Sequence, residues 1–174
     1  MSIPDRPVRL PKVAGRFPAR RWESIVMRIQ PYLCFDGRCE EAIAFYRRAL
    51  GAEVIALMRF ADVPADTDSG GEGCAGGGPM PPGDTVMHGE LRIGETTLLV
   101  SDGFAQGQAV FRGISLALSV RDDAQARESF DALAEEGRVE TPLVPTFFST
   151  RFGIVEDRFG VSWMVVGPEP AAAR

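Results

Sequence analysis

The chain has 174 residues, 45% hydrophobic and 25% charged, with 19 Lys+Arg against 24 Asp+Glu and a net charge of -5. One domain of about 100–200 residues accounts for that length, and the apolar share can fill a core, which excludes wholesale disorder. No run approaches the roughly 18 apolar residues of a membrane span, so a soluble protein is expected, and the acidic balance argues against a surface built to pair with nucleic-acid phosphates.

In chain order, residues 1–26 come first, with six basic groups (Arg6, Arg9, Lys12, Arg16, Arg20, Arg21) and two acidic ones (Asp5, Glu23), a net of +4 against -9 for the remainder. They contain no apolar stretch of about 7–15 residues of signal-peptide type. The segment reads as a flexible basic extension, and Met27 opens the compact domain, which runs over 27–167.

Ile29–Phe35 reads as a strand, and Asp36-Gly37 as a turn. Glu40–Leu50 reads as a helix: Ala42, Ile43, Tyr46, Ala49 and Leu50 recur at three- and four-residue spacing. Glu40 and Glu41 open it and Arg47 and Arg48 close it, as the helix dipole favours, with Gly51 as the cap. Val54–Phe60 is a second strand. Residues 61–84 hold seven Gly and four Pro and read as a mobile loop. This loop contains a literal GxGxxG (Gly71, Gly73, Gly76), but a dinucleotide site needs a strand before it and a helix after it, and neither flanks it here.

Thr85–Ile93 and Thr96–Ser101 follow as strands joined through Gly94-Glu95, then Gly113–Val120 as a further strand. Asp122–Glu136 reads as a second helix capped by Asp122 or Asp123. Strands Arg138–Leu143, Arg151–Glu156 and Val161–Val166 follow, and 168–174 is a tail. The order strand, helix, strand, strand, strand therefore occurs twice, in module one (about 28–102) and module two (about 113–166). Gly89-Glu90-Leu91 lies alongside Gly153-Ile154-Val155, and Leu98-Leu99-Val100 alongside Met164-Val165-Val166. The expected fold is α+β: two βαβββ modules whose curled mixed sheets form a shared cleft, with helices outside. Such a cleft suits a small-molecule ligand.

The three cysteines, Cys34, Cys39 and Cys74, are an odd number without a metal-type pair, which points to a reducing, cytoplasmic setting. Cys39 stands near a helix start, where a thiol pKa can be lowered. No GxSxG elbow supports a Ser nucleophile.

PYLCFDG, EEAIAFYRRALGAEV, VMHGELRIGETTLLVSD and RFGIVEDRFGVSWMV, in that order over Arg28–Val166, resemble the PhnB-like branch of the glyoxalase/bleomycin-resistance/extradiol-dioxygenase (vicinal oxygen chelate) superfamily. That branch often carries the label 3-demethylubiquinone-9 3-methyltransferase. The resemblance implies paired modules, a homodimer, and a divalent metal held by first- and last-strand side chains. Carried over by position, those ligand places hold Gln30, Leu98, Ser115 and Met164, a poor donor set for zinc, nickel or iron.

The only histidine, His88, shares a strand parity with Glu90 and Arg92. A His and a Glu two apart on a cleft-facing strand can act as base and orienter, or bind one metal. A hydrogen-bonded surface histidine is the plainer alternative. Two function classes follow: a cleft that binds a small molecule without the standard metal, or a metal-dependent lyase or oxygenase-type enzyme using His88 and Glu90. A methyltransferase ranks last, since nothing here resembles a methyl-donor site. Neither a nucleic acid nor a membrane is an expected partner.

Overall fold

The computed structural model describes residues 28–62, 82–103, 107 and 109–171. The basic extension, the GxGxxG, Cys74 and the last three residues lie outside the described residues. Module one runs β1 (Tyr32–Cys34), α1 (Cys39–Leu50), β2 (Glu53–Arg59), β3 (Val86–Ile93) and β4 (Thr96–Ser101). Module two runs β5 (Ser115–Ser119), α2 (Asp123–Leu133), β6 (Arg138–Val144), β7 (Phe152–Glu156) and β8 (Ser162–Val166). Each module forms one mixed four-stranded sheet, ordered β1-β4-β3-β2 and β5-β8-β7-β6, with the first strand parallel to the last and the rest antiparallel.

Local chemistry sets the element ends. Gly51 closes α1 at φ +64, a left-handed conformation that suits glycine, and its N–H region turns the chain into β2. At the start of α2 the Asp122 carboxylate accepts the Gln125 N–H at 2.8 Å, the expected N-cap. α2 ends at Leu133, three residues earlier than its periodicity suggests, because Glu136 takes a left-handed φ of +57. β1 is shorter than expected, since Pro31 has no N–H to give a ladder and contributes only its carbonyl, to Leu99 N–H.

One hydrophobic core joins the modules. α1 and α2 touch each other, and the Phe159 ring sits 5.6 Å from both Phe35 and Phe45. The Tyr46 hydroxyl crosses the junction to Asp157 at 2.8 Å, and Arg48 pairs with Glu135 at 2.8 Å. The sheets therefore keep their helix-covered faces inward, and among the described residues no helix or strand covers the opposite faces, called open below. A cleft with its helices on the outside is bounded by these open faces, not by the junction. No helix among the described residues is long and apolar enough to cross a membrane.

Candidate functional site on the open face of the first sheet

Side chains of directly paired residues project from the same side of a sheet, so the register assigns the open face. Tyr32 pairs with Leu99, Leu99 with Glu90, and Glu90 with Ala56, one row across four strands. In the next row His88 pairs with Met58. The alternate residues Leu33, Leu91, Leu98 and Val100 are buried beneath α1. The face is thus an apolar floor of Leu99, Ala56 and Met58 carrying three polar groups.

Those three groups converge. The Tyr32 hydroxyl lies 3.1 Å from His88 Nδ1, with ring centroids 5.7 Å apart and planes tilted by 42°. On the other side of the imidazole, Nε2 is 3.8 Å from Glu90 Oε1, a distance for charge attraction rather than a closed hydrogen bond. About a third of the His88 and Glu90 side chains is exposed, 33% and 30%, so both are held yet reachable. The strand parity of His88 and Glu90 signals their pairing. Tyr32 joins them from 56 residues away across β4, and no local pattern marks it.

Module two fills the same places differently. Ala117, Met164, Ile154 and Thr141 form the matching row, and Phe152 stands two residues before Ile154. Where module one has Tyr32, Glu90 and His88, module two has Ala117, Ile154 and Phe152. The aromatic residues of this module divide: Trp163 is core, whereas Phe148 leans on Phe152 at 5.2 Å and Phe147 is 94% exposed.

The ligand-equivalent positions need one correction. Leu98 is buried under α1, and Leu99 is the open-face residue that matches Met164. Counting from the turn glycines slips by one, since Glu90 to Leu99 spans nine residues and Ile154 to Met164 spans ten. Gln30 lies before β1, half-buried, and Ser115 opens β5 with its hydroxyl 2.8 Å from that of Ser162. An amide, a hydroxyl, a thioether and a leucine do not make a site for the superfamily's divalent metal. Among the described residues, no three His, Cys, Asp or Glu side chains converge on one point.

Other candidates are structural. Cys39 is fully buried, and burial together with the Asp102 charge pushes its thiol up, so it is an inert core thiol. Asp102 accepts the N–H groups of Gly37, Cys39 and Val86 at 2.7, 2.9 and 3.1 Å, capping α1 from the end of β4. Asp157 accepts Phe159 N–H and Val161 N–H at its turn, and also Tyr46 Oη–H and Trp163 Nε1–H. Burial raises the Asp157 carboxyl above its ordinary value, and these four donors act in the opposite direction. A separate cavity of about 580 Å³ at the junction is lined by Leu50, Leu98, Leu116, Leu118, Ser129 and Trp163 among others, and the Tyr32–His88–Glu90 group takes no part in its walls.

Comparison with known proteins agrees with this architecture. The family model described as Glyoxalase/Bleomycin resistance protein/Dioxygenase superfamily matches residues 28–165. Protein YjdN of Escherichia coli (strain K12) is 36% identical over 140 residues, covering 80% of this chain and 94% of its own. The crystal structure of protein PA1353 from Pseudomonas aeruginosa superposes with a TM-score of 0.68 at 37% identity, over 83% of this chain and 100% of that one. A PhnB protein from Bacillus cereus, which carries a 3-demethylubiquinone-9 3-methyltransferase label, gives 0.63 at 25% identity over 81% and 99%.

Proposed function

The chain belongs to the glyoxalase/bleomycin resistance protein/dioxygenase superfamily, and from that premise we propose that it binds a small organic molecule on the open face of its first sheet, without the superfamily's standard metal. One observation carries the reading: three polar side chains converge over an apolar floor, on a sheet face opposite the one that packs on α1. Ligand sites combine that kind of apolar surface with a few placed polar groups. A single open face is only half a cleft. We therefore propose that the working form is a homodimer in which a second copy closes this face. The exposed side chain of Met58 on edge strand β2, paired with His88 on this face, supports it. The odd number of cysteines, Cys34, Cys39 and Cys74, supports a cytoplasmic setting.

The 3.8 Å approach of His88 and Glu90 favours a second reading, in which the same face performs acid–base chemistry on the bound molecule. Because His88 is the only histidine, its imidazole NMR signals are unambiguous. Titration with a library of small neutral and cationic aromatic fragments is expected to move those signals, and His88→Ala is expected to weaken the hits. Fragments that bind without moving His88 would remove the site from this face. Zinc, nickel and iron challenge is expected to leave no stoichiometric metal. A near-stoichiometric ion that His88→Ala loses would replace this reading with the metal-dependent lyase or oxygenase.

A further inference from the structure

We infer that residues 28–31 of one copy, the lead-in to β1, pair along the β5 edge of a second copy and seat Ile29 in the slot beside it, with the exchange made in both directions across a two-fold axis. The inference rests on the homodimer proposed above and names the interface that builds it. A sheet edge with unpaired peptide groups can take another strand, and proteins guard such edges with brevity, bulges, charge or proline. The two sheets have four edges. β1 has only three residues. β2 and β6 both break register, and β6 also carries Arg138, Glu140 and Pro142. β5 has neither a charge nor a proline and keeps its register with β8 unbroken.

The Val120 N–H bonds the Val166 carbonyl at 2.9 Å, so the even residues of this stretch turn their peptide groups toward β8. Alternation points the N–H and C=O of Ser115, Ala117 and Ser119 to the outer edge, where no hydrogen bond among the described residues reaches them. The junction cavity of about 580 Å³ lies along that edge, because residues 115–120 line it without a gap. A cavity over a sheet face would meet every second residue, so consecutive lining means that it meets the strand edge-on. Its inner wall is apolar, with Leu98, Leu116, Leu118 and Trp163, and the β3–β4 turn at Gly94 and Glu95 bounds its far side. The slot thus suits a single extended chain, whereas a folded edge would bring its whole sheet against that turn.

The chain itself supplies such a segment. Among the described residues no hydrogen bond reaches residues 28–30, and Ile29 is 95% exposed. Ile29 has the parity of Leu33 and Phe35, whose side chains point to the core side of the first sheet. Leu116 and Leu118 pack on the core from β5, so a paired Ile29 falls on their side and the open faces of both sheets stay together. Pro31 lines the slot of its own copy, which places donor and acceptor side by side. One two-fold axis then satisfies both copies and closes the assembly at a dimer rather than an open filament. The exchange brings the first sheet of one copy and the second sheet of the other edge to edge. The polar open face of one is then continued by the apolar open face of the other.

Two variants of the full-length chain test it by sedimentation. Ala117→Pro removes an N–H from the outer edge of β5 and none from the β8 ladder. Ile29→Asp changes a side chain that its own copy leaves exposed. Each is expected to raise the dimer dissociation constant by about tenfold or more, with Ile29→Asp unfolding in urea as the wild type does. A benzophenone side chain at position 29 is expected to crosslink to residues 115–120 of the other copy in a mixture of light and nitrogen-15-labelled chains. A dimer that Ile29→Asp leaves intact, or a crosslink confined to one chain, would overturn this interface and leave the homodimer of the proposed function standing. A wild type that stays monomeric would overturn both. Failure to find fragment hits in an intact dimer would count against the binding reading alone.

Discussion

At the scale of single residues, the most consequential contact outside the site is Tyr46 with Asp157. It spans the module junction inside the core, where the carboxyl also serves Trp163 and two backbone N–H groups. Tyr46→Phe is expected to cost about 1–3 kcal/mol in urea unfolding, the usual range for losing a buried hydrogen bond to a carboxyl. Asp157→Asn is expected to cost more, because an amide cannot accept from both Tyr46 and Trp163 while it also accepts from the turn. Tyr32→Phe, by contrast, removes a hydroxyl from a side chain that is 41% exposed, and its stability should stay within about 0.5 kcal/mol of the wild type. His88 and Glu90 were legible as a pair in the sequence because strand alternation is a local rule. Tyr32 was not, since its place beside His88 depends on β1 joining β4 in parallel and β4 joining β3, and two such pairings leave no trace in local spacing.

At the scale of elements, α1 is held at its start by a residue far from it in sequence. Arg38, at the N-cap position, makes no side-chain cap bond, and Asp102 supplies the acceptor instead. Asp102→Ala leaves three N–H groups without that acceptor and is expected to cost about 2 kcal/mol or more in denaturant unfolding. Gly153→Ala on β7 tests the packing of α2 on its sheet. A Cβ there would meet Phe130 Cε2 at 2.7 Å and the Leu143 backbone at 3.0 Å. About 1–3 kcal/mol of destabilisation is expected from that overpacking. The elements themselves were readable from periodicity, but their limits and alignment were less so. The helix α2 ended early at a left-handed Glu136. The longer turn of the β7–β8 hairpin hid that Leu99, not Leu98, is the counterpart of Met164, a difference of one residue that moves a side chain from the core to the open face.

At the scale of the whole molecule, two βαβββ units of the same topology present two faces of different chemistry. The first carries Tyr32, His88 and Glu90, and the second carries Ala117, Phe152 and Ile154 in the same places. The double module was legible because hydrophobic periodicity and turn glycines repeat along the chain. Which faces stay open was not, because it depends on α1 and α2 meeting at the junction. Sedimentation velocity at micromolar concentration is expected to give twice the chain mass, and Met58→Glu on the open face of the edge strand to shift the protein toward a monomer. A wild type that sediments as a monomer would leave the open face without the second wall proposed for it. The most direct test is a crystal structure of the protein soaked with its tightest-binding fragment. The account predicts the fragment over Leu99 and Met58, in contact with the Tyr32–His88–Glu90 group; a fragment seated in the junction cavity between Leu118 and Trp163, with the Tyr32–His88–Glu90 face bare, would contradict it.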